Sequence, residues 1–185
     1  TFRDLIGHLL TNQEFHPIRI IISQNLFQVI DLIILTPQTQ HQNTAGIRVR
    51  FKTDSKQIVL KCLLPERAYV TTMPFSGSAG FDMYADGRYC SVFHPGIDAD
   101  GGHTEADPAD PTYASGYNFP DSALRDIVIN FPTYNNVDQV YIALEEGARL
   151  LPGDEYRRVK PVVFYGSSIT QGGYCSHPGN NYPAM

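Results

Sequence analysis

One short string places a serine where it could act as a nucleophile. Ser168 lies in Gly166-Ser167-Ser168-Ile169-Thr170, directly after the apolar run formed by residues 161–165. A continuous apolar run is typical of a strand buried on both faces, and open α/β sheets bind ligands at the carboxyl edge of such strands. Gly166 permits a tight turn there. We therefore expect an exposed Ser168 hydroxyl, with its backbone N–H free to face a developing oxyanion.

Several other kinds of site are excluded by spacing. The α/β-hydrolase elbow G-x-S-x-G needs glycine where Thr170 stands, and no Gly-Lys-Ser/Thr follows to make a phosphate-binding loop. The three cysteines are an odd number with no C-x-x-C spacing, which supports neither a zinc site nor a disulfide framework. We expect no metal and no cofactor, and we expect the cysteines to be isolated, non-functional side chains; they are Cys62, Cys90 and Cys175.

An acidic stretch, residues 96–119, shows no strand pattern and is predicted to be a long solvated loop. Its carboxylates could be pictured as calcium ligands, but the spacing lacks the D-x-D-x-D-G run and the twelfth-position Glu of an EF-hand. The carboxylates in question are Asp98, Asp100, Glu105 and Asp107.

The elements on either side of this stretch predict a mainly β protein. Residues 47, 49 and 51 are apolar and alternate with the basic residues 48, 50 and 52, so one face of a strand meets a core and the other meets water. Residues 57–61 follow a short turn, and we interpret the two runs as a hairpin. Asp86-Gly87 is the best hairpin turn, because this pair accepts the positive φ angles of a type I′ turn. Further strands are predicted at residues 67–73, 80–85, 88–93, 123–130 and 139–144.

Many short strands joined by Gly, Asn and Pro turns favour an antiparallel, jelly-roll-like β-sandwich. Residues 2–10 could be a short helix, and residues 18–35 could be strands or a helix, because their apolar residues run together. A formal net charge of −5 argues against a nucleic-acid binder. The most apolar stretch, residues 18–35, is broken by polar and charged side chains, so no membrane span is predicted.

The string around Ser168 resembles the first sequence block of the SGNH (GDSL-like) hydrolases, Gly-Asp-Ser-(Leu/Ile)-Thr, with Ser167 in place of Asp. Residues 165–173 with residues 176–179 resemble an acetylhydrolase-like branch in which that serine is usual. Members of the branch carry an N-terminal β-sandwich with the signature Gly-x-Asp-Leu-Tyr, which is similar to Gly80-Phe81-Asp82-Met83-Tyr84 here. Residues 43–51 and 134–137 also match, so the resemblance covers about residues 43–185.

The resemblance implies a division into a sandwich, residues 1–158, and the start of a flavodoxin-like α/β catalytic domain, residues 159–185. It implies that Ser168 attacks an ester carbonyl, forms an acyl-enzyme and supplies one oxyanion N–H. In the family, a later Gly and Asn supply the other oxyanion donors, and an Asp-x-x-His pair supplies the base and the residue that orients it. The resemblance places all of these after Met185, so we expect this chain alone to be inactive. The residues placed at the rim of the active site are Asp82, Tyr84, Gly166, Ser167, Thr170 and Gln171.

Three histidines are alternative candidates for the base: His177, nine residues after Ser168, and His94 and His103. A histidine in a surface loop is the plainer interpretation of each. The substrate that the resemblance implies is a small ester, with acetylated carbohydrate as one candidate, and the implied location is extracytoplasmic, either periplasmic or secreted. Two alternatives stay open: a non-catalytic carbohydrate-binding or docking module, and a sandwich that only shields or orients a catalytic domain.

Overall fold

The computed structural model describes the backbone of residues 15–24 and 28–37, and whole residues in 44–64, 72–98, 100–103, 110–154 and 163–184. Within these residues the chain forms mostly short strands. In chain order the elements are β1 Phe15–Gln24, β2 Gln28–Pro37, β3 Arg48–Thr53, β4 Gln57–Leu63, α1 Phe75–Ser78, β5 Phe81–Ala85, β6 Arg88–Phe93, β7 Thr112–Asn118, β8 Arg125–Asn130, β9 Gln139–Leu144, β10 Leu150–Pro152, α2 Ser168–Gln171 and a 3₁₀ turn at Pro178–Asn180.

The strands form two five-stranded sheets that share one core. Sheet A has the order β2-β1-β9-β4-β7, and sheet B has the order β10-β3-β8-β5-β6. Neighbouring strands are antiparallel, except that β1 and β9 are parallel. The predicted antiparallel β-sandwich is therefore confirmed, and residues 15–37 supply a two-stranded edge of sheet A. None of the helices in the described part of the chain is long and apolar enough to cross a membrane.

Alternation along the strands decides which side chains fill the core. In β3 the buried residues are Val49, Phe51 and Thr53, and the intervening basic side chains are only partly buried, as predicted. Phe51 meets side chains of both sheets in one cluster, where Phe81 and Phe131 pack edge to face with ring centroids 4.9 Å apart. Phenylalanines thus take the large central positions in a protein that contains no tryptophan.

The predicted hairpin of β3 and β4 is wrong. β3 pairs with β8 and β10 in sheet B, whereas β4 pairs with β7 and β9 in sheet A, so the connection between them crosses from one sheet to the other. Ser55 lies buried at this crossing, where its hydroxyl donates to the Gln57 carbonyl at 2.6 Å and accepts from the Glu145 N–H at 2.9 Å. Alternation indicates which face of a strand is buried but does not identify its partner strand.

Two other strand assignments differ from the sequence prediction. Residues 96–119 are not entirely loop, because β7 runs along β4 at the edge of sheet A; its small and polar residues show little apolar alternation. The strand predicted at residues 67–73 lies largely outside the described residues, and Thr72 and Met73 are not in a strand. The strand predicted to start at residue 123 begins two residues later, at Arg125. The Asp86-Gly87 turn is confirmed, with φ angles of 51° and 75°.

The structure describes residues 163–165 of the strand predicted at residues 161–165, and these residues do not form a strand. Residues 163–166 have no regular secondary structure. Val163 is 83% exposed and Tyr165 is fully exposed. The physical reason is that a parallel strand is stable only beside a partner, and no described strand lies next to this run. Ser168 nevertheless follows it directly, at the start of α2.

Candidate active site

The candidate site is assembled on the outer face of sheet B. Arg48 pairs in register with Asn130, and Asn130 pairs with Asp82 on its other side. Directly paired residues place their side chains on the same face of a sheet, so these three form a polar row across β3, β8 and β5. The segment of residues 163–184 lies over one end of this row, because Gly179 and His177 contact Asp82.

Asp82 is a fully buried carboxylate with three hydrogen-bond donors around it. Its Oδ1 accepts from the Asn130 amide at 2.7 Å. Its Oδ2 lies 2.6 Å from Nδ1 of His177 and also accepts from the backbone N–H of Gly179. A buried carboxylate is tolerated when its lone pairs are satisfied in this way. Asp82 therefore ties the loop that follows Ser168 to the sandwich.

Two tyrosines complete this contact. The Tyr89 ring stacks on the His177 ring with centroids 4.6 Å apart, and Tyr84 lies at an angle to the same imidazole. Burial, reinforced by the negative charge of Asp82, raises the pKa of both Tyr84 and Tyr89 above the ordinary value. Gly179 must be glycine, because a Cβ there would lie 2.7 Å from Asp82 Oδ2 and 2.7 Å from Tyr84 Cε2.

Further hydrogen bonds fix the turn that carries Ser168. The Tyr134 hydroxyl donates to the Ser168 carbonyl at 3.0 Å, and the Gln171 amide donates to the Thr133 carbonyl at 2.8 Å. Helix α2 ends at Gly172, which adopts the left-handed conformation with φ 111°. Residues of the loop between β8 and β9 thus hold both ends of α2 against the sandwich.

The turn that carries Ser168 is also held by contacts within residues 163–184. Thr170 Oγ1 lies 2.7 Å from the Tyr182 hydroxyl. A Cβ at Gly166 would lie 2.0 Å from Thr170 Oγ1, so only glycine permits this approach. The Thr170 N–H donates to the Ser167 carbonyl at 2.9 Å, which starts the helix at Ser168. These contacts explain why glycine precedes the two serines and threonine follows them.

Ser168 is exposed and faces an open cleft of about 780 Å³. Neither its hydroxyl nor its backbone N–H makes a hydrogen bond to any described residue, so both are available to a ligand. No histidine and no carboxylate is found among the described residues that line the cleft. A serine hydroxyl without a base is a weak nucleophile, so these residues present Ser168 but do not activate it.

The structure brings four of the six predicted rim residues together with Ser168, namely Gly166, Ser167, Thr170 and Gln171. Asp82 and Tyr84 do not line this cleft; they lie beneath residues 177–179, where Asp82 anchors the loop. The cleft also contains residues that the sequence analysis did not single out. They come from the turn before β3, from β3 and from the last described residues, and include Gly46, Arg48 and Asn181.

His177 belongs to a different cavity, of about 350 Å³, which it shares with Tyr89 and His94. Its Nδ1 is already directed at Asp82, so the geometry does not favour it as the base for Ser168. His103 lies at an isolated bridge to Ile97. Among the described residues, no three His, Cys, Asp or Glu side chains are grouped so that they could hold a metal ion.

Of the four carboxylates considered as calcium ligands, Asp98 has another role in the structure. Oδ1 of Asp98 accepts from the backbone N–H groups of Asp100 at 3.0 Å and Gly102 at 2.7 Å, which folds its own loop. Glu105 and Asp107 lie outside the described residues. The three cysteines are free thiols, and burial raises the pKa of Cys90 and of Cys175.

Comparison with known proteins defines the class to which this fold and site belong. A family described as "GxDLY: N-terminus of Esterase_SGNH_hydro-type" matches residues 35–150. The chain belongs to this family. No curated protein sequence matches the chain.

Two solved structures are similar to this chain. A putative GDSL-like lipase from Bacteroides ovatus ATCC 8483 has 26% sequence identity and a TM-score of 0.61 over 77% of this chain and 40% of its own. The salicylyl-acyltransferase SsfX3 from a tetracycline biosynthetic pathway has 21% identity and a TM-score of 0.51 over 77% of this chain and 36% of its own. The chain thus spans well under half of either protein, and the second likeness concerns the fold alone.

Proposed function

We propose that this chain is the N-terminal portion of a serine ester hydrolase, in which the sandwich holds the nucleophile segment in place. The observation that carries the proposal is the exposed Ser168 hydroxyl at the start of α2, facing a cleft, in a chain of an SGNH-esterase family. In this proposal residues 1–158 form the sandwich and residues 159–185 begin the catalytic domain.

The proposed reaction has two steps. Ser168 Oγ attacks the ester carbonyl while a base removes its proton, and the C–O bond to the alcohol breaks as the alcohol takes up a proton. Water then hydrolyses the acyl-enzyme and releases the acid. The free N–H of Ser168 can donate to the oxyanion that forms in each step. The base and its orienting carboxylate would come from the remainder of an SGNH domain.

The proposed substrates are esters of small acyl groups, with acetyl groups on carbohydrate as the first choice. This choice rests on the resemblance of residues 165–173 to the acetylhydrolase-like branch. If the natural substrate is a polysaccharide ester, the enzyme would act outside the cytoplasm. The mechanism needs neither a metal nor a cofactor.

The test is hydrolysis of p-nitrophenyl acetate by the protein in which this chain is joined to the rest of an SGNH domain. Ser168→Ala should abolish the activity, because the residual oxyanion donors cannot replace the nucleophile. Ser122→Ala, at an exposed loop serine that does not line the cleft, is the matched control and should retain the activity. The 185-residue chain alone should hydrolyse the ester no faster than its own Ser168→Ala variant, because no described base contacts Ser168.

Equal activity of the joined protein and its Ser168→Ala variant would overturn the assignment of the nucleophile. The sandwich would then be better explained as a non-catalytic binding or docking module. A glycan array on the 185-residue chain would test that module directly, because binding needs no base.

A further inference from the structure

One basic residue of β3 differs from its neighbours on the same face. Arg50 pairs with Asp126 at 3.2 Å, and Lys52 pairs with Asp154 at 2.7 Å. The side chain of Arg48, the first residue of the strand, has neither an ion pair nor a hydrogen bond with any described residue. It is nevertheless partly buried. Partly buried arginines usually have an anionic partner, because the guanidinium offers five donors.

The position of Arg48 indicates what that partner could be. Arg48 lines the cleft that contains Ser168, and it carries the only formal charge among the described residues that line it. The remaining lining combines hydroxyl and amide groups with the aromatic side chains of Phe164 and Tyr165. A ligand in this cleft therefore meets the Ser168 hydroxyl, aromatic surface and a guanidinium that is not paired with any described residue.

A purely structural role for Arg48 would be to balance the buried charge of Asp82. The hydrogen bonds of Asp82 do not favour this role, since Asn130, His177 and the Gly179 N–H already contact its carboxylate. Asn130 also lies between Arg48 and Asp82 in the strand register. Burial raises the pKa of Tyr84, and the charge of Arg48 offsets a small part of that effect, so Arg48 lies near Tyr84. Arg48 nevertheless forms no ion pair with Asp82.

We propose that Arg48 binds a carboxylate on the ester that Ser168 attacks, so that the site selects acidic substrates. The inference rests on the proposed function. A single guanidinium matches a singly charged carboxylate, which it can bind through two parallel N–H···O bonds. In terms of the proposed substrates, an acetylated acidic sugar would be preferred to an acetylated neutral sugar.

The test compares two aryl acetates of the same shape, 4-acetoxybenzoate and 4-acetoxybenzamide, on the joined protein. Their ratio of kcat/KM measures selection of the carboxylate. Arg48→Gln should lower this ratio about tenfold, which corresponds to one charge-assisted hydrogen bond. Arg48→Lys should restore part of it, because the charge is kept and the bidentate geometry is lost. Arg50→Gln, on the same face but paired with Asp126, is the matched control and should leave the ratio unchanged.

If the ratio of kcat/KM for the two esters is unchanged in Arg48→Gln, the proposal is overturned. An equal loss of kcat/KM with both esters is one such result, and it would indicate a structural role for Arg48. Near-ultraviolet circular dichroism and the thermal midpoint establish that each variant is folded.

A binding measurement separates this proposal from the proposed function. The 185-residue chain is titrated with 4-hydroxybenzoate and with 4-hydroxybenzamide, and NMR shifts of the Ser168 and Arg48 amides are followed. Preference for the benzoate that is lost in Arg48→Gln supports the carboxylate site even if the joined protein shows no esterase activity. If the 185-residue chain binds the benzoate and the benzamide equally, the carboxylate site is overturned. If the joined protein is at the same time an esterase that depends on Ser168, the proposed function is retained.

Discussion

At the scale of single residues, the Gly80–Tyr84 signature has a structural explanation. A Cβ at Gly80 would lie 2.5 Å from the Ser76 carbonyl oxygen, so glycine is required where α1 meets β5. Asp82 accepts hydrogen bonds from residues of the loop that follows Ser168, and Tyr84 lies against Gly179 in that loop. The signature therefore anchors residues 163–184 on the sandwich, although its own residues are not in the cleft.

Removing the Asp82 carboxylate should loosen this anchor. Asp82→Ala leaves the Asn130 amide, the His177 ring and the Gly179 N–H without their shared acceptor, and we expect the free energy of unfolding to fall by about 2–3 kcal/mol. Amide hydrogen exchange should show the largest loss of protection in residues 177–181. Asp100→Ala, at an exposed carboxylate with no described side-chain partner, is the control and should change stability by less than about 0.5 kcal/mol. Unchanged protection of residues 177–181 in Asp82→Ala would contradict the anchoring role.

The site residues divide into those that the sequence could reveal and those that it could not. Ser168 and its turn occupy consecutive positions, so their chemistry is visible in one string. Asp82 and His177 are 95 residues apart, and only folding brings them together. His177 is close to Ser168 in sequence, which makes it a candidate base, but its partner in the structure is a carboxylate of the distant strand β5. Arg48 was predicted only to face water, because alternation assigns a face of a strand and not a cleft.

At the scale of secondary-structure elements, the sequence predicted strand faces better than strand partners. The bounds of four strands were predicted to within about a residue, because each strand has apolar alternation or a strong turn beside it. These strands are β3, β5, β6 and β9. Partners were missed where the chain changes sheets, as at Ser55. The parallel pairing of β1 with β9 joins strands more than a hundred residues apart, which no local pattern specifies.

The edge strand β10 gives a prediction with a defined pH dependence. Asp54, after β3, accepts from the backbone N–H and from Nε of Arg149, both at 2.6 Å, and Leu150 then pairs with Thr53. These hydrogen bonds, the backbone one first, lower the pKa of Asp54 below its ordinary value. A lowered folded-state pKa stabilises the fold above the unfolded-state pKa, and the stabilisation is lost as pH falls through the folded-state value.

Asp54→Ala should therefore reduce the free energy of unfolding by about 1 kcal/mol at neutral pH, a modest value because the pair is partly exposed. The difference from the unmodified protein should stay constant between about pH 5 and 8 and shrink below about pH 4. Urea unfolding at several pH values measures it, and a double-mutant cycle with Arg149→Ala isolates the pair. A difference that grows toward acid pH would contradict the assignment.

At the scale of the whole molecule, the described hydrophobic core is separate from residues 163–184. The described core cluster draws on the two sheets and their connections and includes no residue after Leu150. Residues 163–184 are held mainly by polar contacts, and several of their large apolar side chains face solvent, including Ile169 at 69% and Tyr174 at 70% exposure. Exposed apolar side chains concentrated on one segment are typical of a surface that another part of a protein covers.

This separation predicts that the sandwich folds without the residues that follow Asp154. A chain ending at Asp154 keeps every described member of the core, and Asp82 becomes solvated, where a carboxylate needs no protein donors. We expect cooperative thermal unfolding by circular dichroism, since hydrophobic burial is the dominant stabilising contribution. The midpoint should lie about 5–10 °C below that of the 185-residue chain, because the contacts between Asp82 and residues 177–179 are lost. Asp82→Ala should then be nearly neutral in the shortened chain, although it is costly in the full one, because the donors of residues 177–179 are gone. A shortened chain without a cooperative transition would show that the segment is part of the folding unit. A penalty for Asp82→Ala that is equal in both chains would show that Asp82 stabilises the sandwich itself and not the docked segment.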